Sequence, residues 1–257
     1  MENREFYIDK DGFKIHAKLD FPEVQKEKMP LLILVHGLTG HMEEVHILKV
    51  AEIAVKSGYA CLRVEMYGHG MSDGNFCNHN IAQWVLDMAY VIDYAEKLDF
   101  VSDIYLSGHS QGGLTSMLTA GLKGDKIKGL MPLSPAVCLI DCCKTGIWLD
   151  GSSFDVVNIP EELHFWEDKY VTGNYVRVAR SLRIEDAIAA YHGPVFLVHG
   201  TGDETVPVSD SINADKLYEN SVLALIPEDT DCYDYHLDQV AEVIEKWLGE
   251  QYTANKY

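Results

Sequence analysis

The sequence predicts an α/β protein, with a mostly parallel central sheet flanked by helices, an antiparallel hairpin at the N-terminus and an inserted cap. Three observations carry this prediction. Fully apolar runs such as Leu31 to Val35 alternate with stretches whose apolar residues fall at helical spacing, the mark of strand–helix–strand units. The pentapeptide Gly108-His109-Ser110-Gln111-Gly112 fits G-x-S-x-G and joins the strand-like run Asp103 to Ser107 to a helix-like one. Finally, the alternation stops over residues 134–189 and then resumes. A structureless loop of that length is rare in a compact domain, so an inserted cap accounts for it better. With 257 residues, 47% of them hydrophobic, the chain can bury one large core. The expected organisation is a single domain over residues 1–257, with the cap at approximately 134–189.

Taken in order, Glu5 to Ile8 and Phe13 to Leu19 flank Asp9-Lys10-Asp11-Gly12 and read as an edge hairpin. The parallel part begins with Leu31 to Val35, too apolar for a strand with one wet face. A helix over His46 to Ser57 and a strand over Tyr59 to Val64 follow. Trp84, Met88, Val91, Ile92 and Ala95 then fall on one helical face. After the helix beyond Ser110, Ile127 to Leu133 is a strand. Past the cap come a strand over Pro194 to Gly200, a helix over Ser209 to Glu219 and a strand over Val222 to Ile226. A last helix carries Leu237, Val240, Ile244, Trp247 and Leu248 inward.

Forty acidic against 21 basic residues give a formal charge of -19. Such a field repels phosphate backbones and anionic lipid, so neither nucleic acid nor a membrane is an expected partner. The acids are spread along the chain, which suits a well-hydrated surface. The N-terminus has neither the basic flank nor the apolar core of a signal peptide, and no apolar run is long enough to span a bilayer, so a cytoplasmic location is expected. The six cysteines form no C-x-x-C pair and have no accompanying histidine spacing. Reduced thiols are expected, with no metal and no cofactor.

A serine hydroxyl becomes a nucleophile only when a base takes its proton, and the oxyanion formed on attack needs hydrogen-bond donors. Ser110 sits where a strained strand-to-helix elbow would hold such a hydroxyl clear of the sheet. His36-Gly37-Leu38-Thr39-Gly40 follows a buried strand and matches the H-G-x-x-G loop with which α/β-hydrolases supply one oxyanion N–H. The residue after the nucleophile supplies the second, so Leu38 and Gln111 are the expected main-chain donors. Asp203, in Gly200-Thr201-Gly202-Asp203-Glu204, lies between a strand and a helix, where the acid of a Ser, Asp, His order belongs. Glu204 is its neighbouring competitor. The same order requires a histidine after Asp203, and His236 alone qualifies, at the start of the last helix.

Along essentially its whole length the chain resembles the bacterial cinnamoyl or feruloyl esterases of the α/β-hydrolase superfamily. Beyond the two glycine loops, the resemblance rests on Met66-Tyr-Gly-His-Gly70-Met-Ser-Asp-Gly74, Leu133-Ser-Pro-Ala136, Gly173-Asn-Tyr-Val-Arg-Val-Ala179 and Cys232-Tyr-Asp-Tyr-His-Leu237. It implies a serine carboxylesterase that forms an acyl-Ser110 intermediate, with Asp203 as acid, from esters of hydroxycinnamic acids. It also implies an aromatic acyl pocket in which Trp166 and Tyr175 line the cinnamoyl group, with Tyr175 and, on a looser match, Asp141 placed to bond a phenolic hydroxyl. The implied partner is a small aromatic ester. A homodimer is an arrangement the sequence leaves open.

One position departs from the family. Where its members carry the catalytic histidine, this chain has Asp231, in Glu228-Asp229-Thr230-Asp231-Cys232-Tyr233. A second carboxylate near Asp203 raises at least one pKa by repulsion, and it cannot become an imidazolium held by an aspartate. Three accounts are open: natural loss of the base, an introduced substitution, or a rearrangement that lets His236 serve. The alternatives to an esterase are a hydrolase-like protein that binds aromatic acids or esters without turnover, and another serine hydrolase such as a monoacylglycerol lipase or a thioesterase. Dehalogenase chemistry is disfavoured because the elbow carries serine and not aspartate.

Overall fold

The computed structural model describes residues 2–166 and 169–254. Its first feature is the expected hairpin. β1 (Glu2–Lys10) and β2 (Phe13–Phe21) pair from Glu2↔Phe21 to Lys10↔Phe13. The turn is Asp11-Gly12, with φ of 52° and 88°, the left-handed pair that lets a two-residue turn match the twist of its strands. Both strands outrun their apolar alternation, because the ladder is made by backbone groups and β1 is a largely exposed edge that needs no apolar face.

The parallel sheet then builds outward from its middle. β3 (Met29–Val35), α1 (Val45–Lys56), β4 (Ala60–Val64), α2 (Ile81–Ala95), β5 (Val101–His109), α3 (Gln111–Lys123) and β6 (Gly129–Leu133) follow one another. β6 starts two residues later than its apolar run suggests, since a 3-10 turn at Gly124–Lys126 delays the entry. Residues 134–189 hold α4 (Cys138–Thr145), the antiparallel pair β7 (Glu162–Phe165) and β8 (Lys169–Thr172), α5 (Gly173–Ala179) and most of α6 (Ile184–Ala190). β9 (Val195–Gly200), α7 (Ser209–Leu217), β10 (Ser221–Ile226) and α8 (Leu237–Ala254) complete the chain. The main sheet has the order β1-β2-β4-β3-β5-β6-β9-β10, antiparallel at β1/β2 and β2/β4 and parallel from there on.

Every residue of β3 is buried, as both faces of a parallel sheet must be when helices cover it. Period-2 alternation divides the strand between two cores. Leu31, Ile33 and Val35 join Trp84 and Met88 of α2 and Leu114 and Met117 of α3. Leu32 and Leu34 join Ile47 and Val50 of α1 and Ile244 and Leu248 of α8. Residues from the inserted segment, among them Leu139, Phe165, Tyr175 and Ile188, extend the first core. α6 lies directly on α3: a Cβ at Gly121 would fall 2.6 Å from Ala187 Cα, so glycine sets that spacing. Among the described residues no helix is long and apolar enough to cross a membrane.

This topology places the chemistry-bearing loops together. β3, β5, β9 and β10 run parallel, so the loops that follow Val35, His109, Gly200 and Ile226 all leave the sheet at its carboxyl edge, the edge where open α/β sheets bind ligands.

Candidate active site

Ser110 occupies the turn between β5 and α3 with φ 53° and ψ -117°, a conformation that costs a non-glycine residue about 1–3 kcal/mol. The turn is held by its own backbone. Ser110 N–H donates to Leu133 O at 2.9 Å, and Ser110 O accepts from Leu114 and Ala136 N–H at 3.0 Å each. The flanking glycines are steric necessities. A Cβ at Gly108 would sit 2.3 Å from Gly112 O, and one at Gly112 would sit 2.3 Å from His36 O. Gln111 heads α3, where first-turn N–H groups have no intrahelical acceptor and can face an anion.

The loop after β3 packs against this elbow. A Cβ at Gly37 would lie 3.3 Å from Ser110 Cβ, so a larger residue there would push the two apart. Two buried histidines fix the loop from behind. His36 Nδ1–H donates to Gly37 O at 2.7 Å while its Nε2 accepts Met66 N–H at 3.1 Å, and burial holds its pKa well below the ordinary value, which keeps it neutral in that role. His69 Nε2 bonds Leu38 O, and its ring packs edge-on or tilted against His36, His79 and Trp84. Leu38 is thereby anchored through its carbonyl.

Asp203 follows β9 with its carboxylate wholly buried. Oδ1 accepts Thr205 and Val206 N–H at 2.8 and 2.7 Å. Oδ2 faces His199 Nε2 at 3.1 Å, and His199 is oriented in turn by Ser211 Oγ at 2.7 Å from its Nδ1. Glu204 is exposed. The loop after β10 is organised by Asp229, which is fully buried: Oδ1 accepts Thr230 and Tyr235 N–H, and Oδ2 accepts His236 N–H, at 2.9 to 3.0 Å. Its backbone lies against the acid turn, since Gly202 N–H donates to Asp229 O at 2.9 Å and a Cβ at Gly200 would meet that oxygen at 2.3 Å. Asp231 O accepts His109 Nε2–H at 2.8 Å, tying this loop to the elbow as well.

A cavity opens over Ser110, and Leu38, Glu44, Trp166 and Asp231 are among the residues that line it. Among the described residues no lysine or arginine does so. Burial raises the Asp231 pKa, and the charge of Asp203 raises it further. Burial also raises that of Glu44, with a contribution from Asp231. The cavity over Ser110 therefore carries two carboxylates that hold their protons to higher pH than ordinary ones.

Several expected residues meet here and others do not. Ser110, Leu38, Asp231 and Trp166 border one cavity. His236 does not: it is half-buried at the start of α8, where its carbonyl accepts Gln239 and Val240 N–H at 2.9 and 3.1 Å. Tyr175 is completely buried, and its hydroxyl donates to Gln111 Oε1 at 2.7 Å instead of facing that cavity. Asp141 has 74% of its side-chain surface exposed and pairs with Lys144 at 3.2 Å, because α4 turns that side outward. His199, Glu44 and the His36/His69 support were not anticipated. His36 alone carried a signal, as the first residue of the glycine loop.

The family model described as "Serine aminopeptidase, S33" matches residues 26–144. Est1E from Butyrivibrio proteoclasticus, solved with ferulic acid bound, is 50% identical, with 96% of this chain and 98% of that one covered and a TM-score of 0.93. A second Est1E structure gives 47% identity over the same shares, at a TM-score of 0.90. More distantly, a mitochondrial palmitoyl-protein thioesterase, ABHD10 from Homo sapiens, is 22% identical over 220 residues, covering 80% of this chain and 68% of that one. Mouse ABHD10 shares the fold at 17% identity and a TM-score of 0.76, with 96% of this chain and 99% of that one covered.

Proposed function

The chain belongs to the bacterial cinnamoyl or feruloyl esterase family of the α/β-hydrolase superfamily, and we propose from that premise that it is a serine carboxylesterase scaffold for hydroxycinnamate esters, slowed by the aspartate at position 231. The family is one of carboxylic ester hydrolases. The observation that carries the substrate class is the ferulic acid held by a relative of 50% identity over nearly the whole chain. Trp166, an aromatic wall beside the nucleophile, suits a planar acyl group.

In this mechanism Ser110 Oγ attacks the ester carbonyl, its proton passes to a base, and the resulting oxyanion is held by the Leu38 and Gln111 N–H groups. Collapse of the tetrahedral adduct expels the alcohol and leaves an acyl-Ser110, which water hydrolyses by the same steps. Tyr175 acts from behind by holding the Gln111 side chain. Asp231 borders the cavity and, with its pKa raised, is a better base than an ordinary carboxylate. It remains a poor substitute for imidazole. Accepting a proton makes it neutral, so Asp203 gains no cation to stabilise, and the residual rate rests mainly on the oxyanion hole and substrate binding.

The test is hydrolysis of methyl ferulate by the chain as it stands and by Asp231→His. A gain of about 10²–10⁴-fold in kcat/KM is expected for the variant, the usual contribution of a positioned general base. If neither protein hydrolyses the ester, the esterase assignment fails. Asp231 also favours a second reading, a binder of aromatic acids without turnover. Calorimetric binding of ferulate, with no hydrolysis by either protein, would favour that reading.

A further inference from the structure

Beside the elbow, three side chains from distant parts of the chain converge. His46 lies in the first turn of α1, His109 ends β5, and Cys232 belongs to the loop after β10. The two imidazole rings are 4.3 Å apart between centroids, inclined at 64°. One ring nitrogen of each histidine and the Cys232 sulfur all lie within 4.8 Å of one another.

The histidines are 4% and 3% exposed, and each keeps a buried ring nitrogen with no hydrogen-bond partner, Nε2 of His46 and Nδ1 of His109. An unpartnered buried polar atom is costly and calls for an explanation. For His109 the tautomer follows from geometry. Its Nε2 lies 2.8 Å from the carbonyl oxygen of Asp231, and a carbonyl only accepts, so Nε2 carries the hydrogen and Nδ1 presents a lone pair. A backbone carbonyl receiving the second ring N–H is also how metal-binding histidines are commonly oriented.

We propose that His46, His109 and Cys232 form a binding site for one divalent ion of the zinc class. Two imidazoles and a thiolate are a borderline-soft donor set that suits zinc and its surrogate cobalt better than magnesium or calcium. His109 presents its Nδ1 lone pair to an ion without first losing a proton. The Cys232 thiol does lose its proton. A sulfur–metal bond forms and one proton leaves to solvent. Water fills the fourth position of the tetrahedron, and Glu44 Oε2 lies near the site, 3.9 Å from His46 Nε2. Ligand atoms around tetrahedral zinc stand roughly 3.3–3.7 Å apart, so separations of up to 4.8 Å must close by about 1.5 Å at most. The sequence could not reveal such a site, because its ligands stand at positions 46, 109 and 232 and form no motif.

The test uses the full chain, stripped with chelator and titrated with cobalt(II). Tetrahedral d–d bands and a thiolate-to-cobalt charge-transfer band are expected, saturating at one equivalent and displaced by zinc. Cys232→Ser should abolish the charge-transfer band, and His46→Gln should weaken uptake by tenfold or more. Cys142→Ser, which alters the other close thiol pair, should leave the spectrum unchanged. No charge-transfer band, or one that survives Cys232→Ser, would overturn the site. Should Cys232→Ser fail to fold, alkylation of Cys232 in the unaltered chain decides the matter by mass spectrometry. Zinc is expected to slow it at least tenfold, and an unchanged rate refutes the proposal. No ester enters these measurements, so their outcome is separate from that of the esterase reading.

Discussion

The elbow at Ser110 and the loop at Asp231 lie side by side at the carboxyl edge of the sheet, and they are built in opposite ways. At the elbow the reactive residue is itself the strained one, and its glycine neighbours cannot be enlarged without collision. Geometry and chemistry are there a single requirement. In the loop after β10 the shape is set by Asp229, which gathers three backbone N–H groups, and by the packing of its carbonyl against Gly200 and Gly202. Residue 231 contributes its backbone carbonyl to His109, and any amino acid supplies that. The loop's shape thus rests on Asp229 and on backbone contacts and not on the side chain at position 231.

The sharpest way to break the comparison is to remove the elbow's chemistry while the loop is made complete. In an Asp231→His background, Ser110→Ala should lower kcat for a ferulate ester by at least about 10⁴-fold. Substantial residual turnover would mean that another group attacks. Next in size is the loop's own scaffold. Asp229→Ala should leave three backbone N–H groups without their acceptor and cost about 2–4 kcal/mol, read as a fall in Tm of roughly 5–15 °C. An unchanged Tm would show that the loop does not depend on that carboxylate.

The smallest effect concerns residue 231 itself. Its pKa is raised in the folded chain, so the folded form binds its proton more tightly than the unfolded form does. The ionised group therefore destabilises, and the penalty grows as pH rises from the ordinary aspartate value near 3.8 through the raised one. Asp231→Asn should raise Tm by roughly 1–3 °C at neutral pH, and the gain should vanish below about pH 3.8. A gain that persists unchanged in acid would assign it to packing and not to charge.

What could be read from the sequence was what is local. Leu31 to Val35 announces a doubly covered strand by composition alone, and Gly108 to Gly112 announces an elbow because every constraint on it falls within five residues. The seats of Asp203 and of position 231 follow from chain order and family resemblance. What could not be read depends on approach in space. His199 orients Asp203 from within the preceding strand, and Glu44 reaches the Ser110 cavity from the turn before α1. Neither position belongs to a pattern. Tyr175 and Asp141 make the same point from the other side: both lie in the inserted segment, yet helix phase aims one at Gln111 and the other at solvent.

The independence of the β10 loop from its residue 231 side chain has a genetic consequence. Aspartate and histidine codons differ only in their first base, so the two side chains at position 231 are a single nucleotide apart. Because Asp229 keeps the loop in shape in either case, neither step along that path has to pass through a misfolded intermediate. Exchange of the side chain at this position is thus largely separate from the folding of the loop.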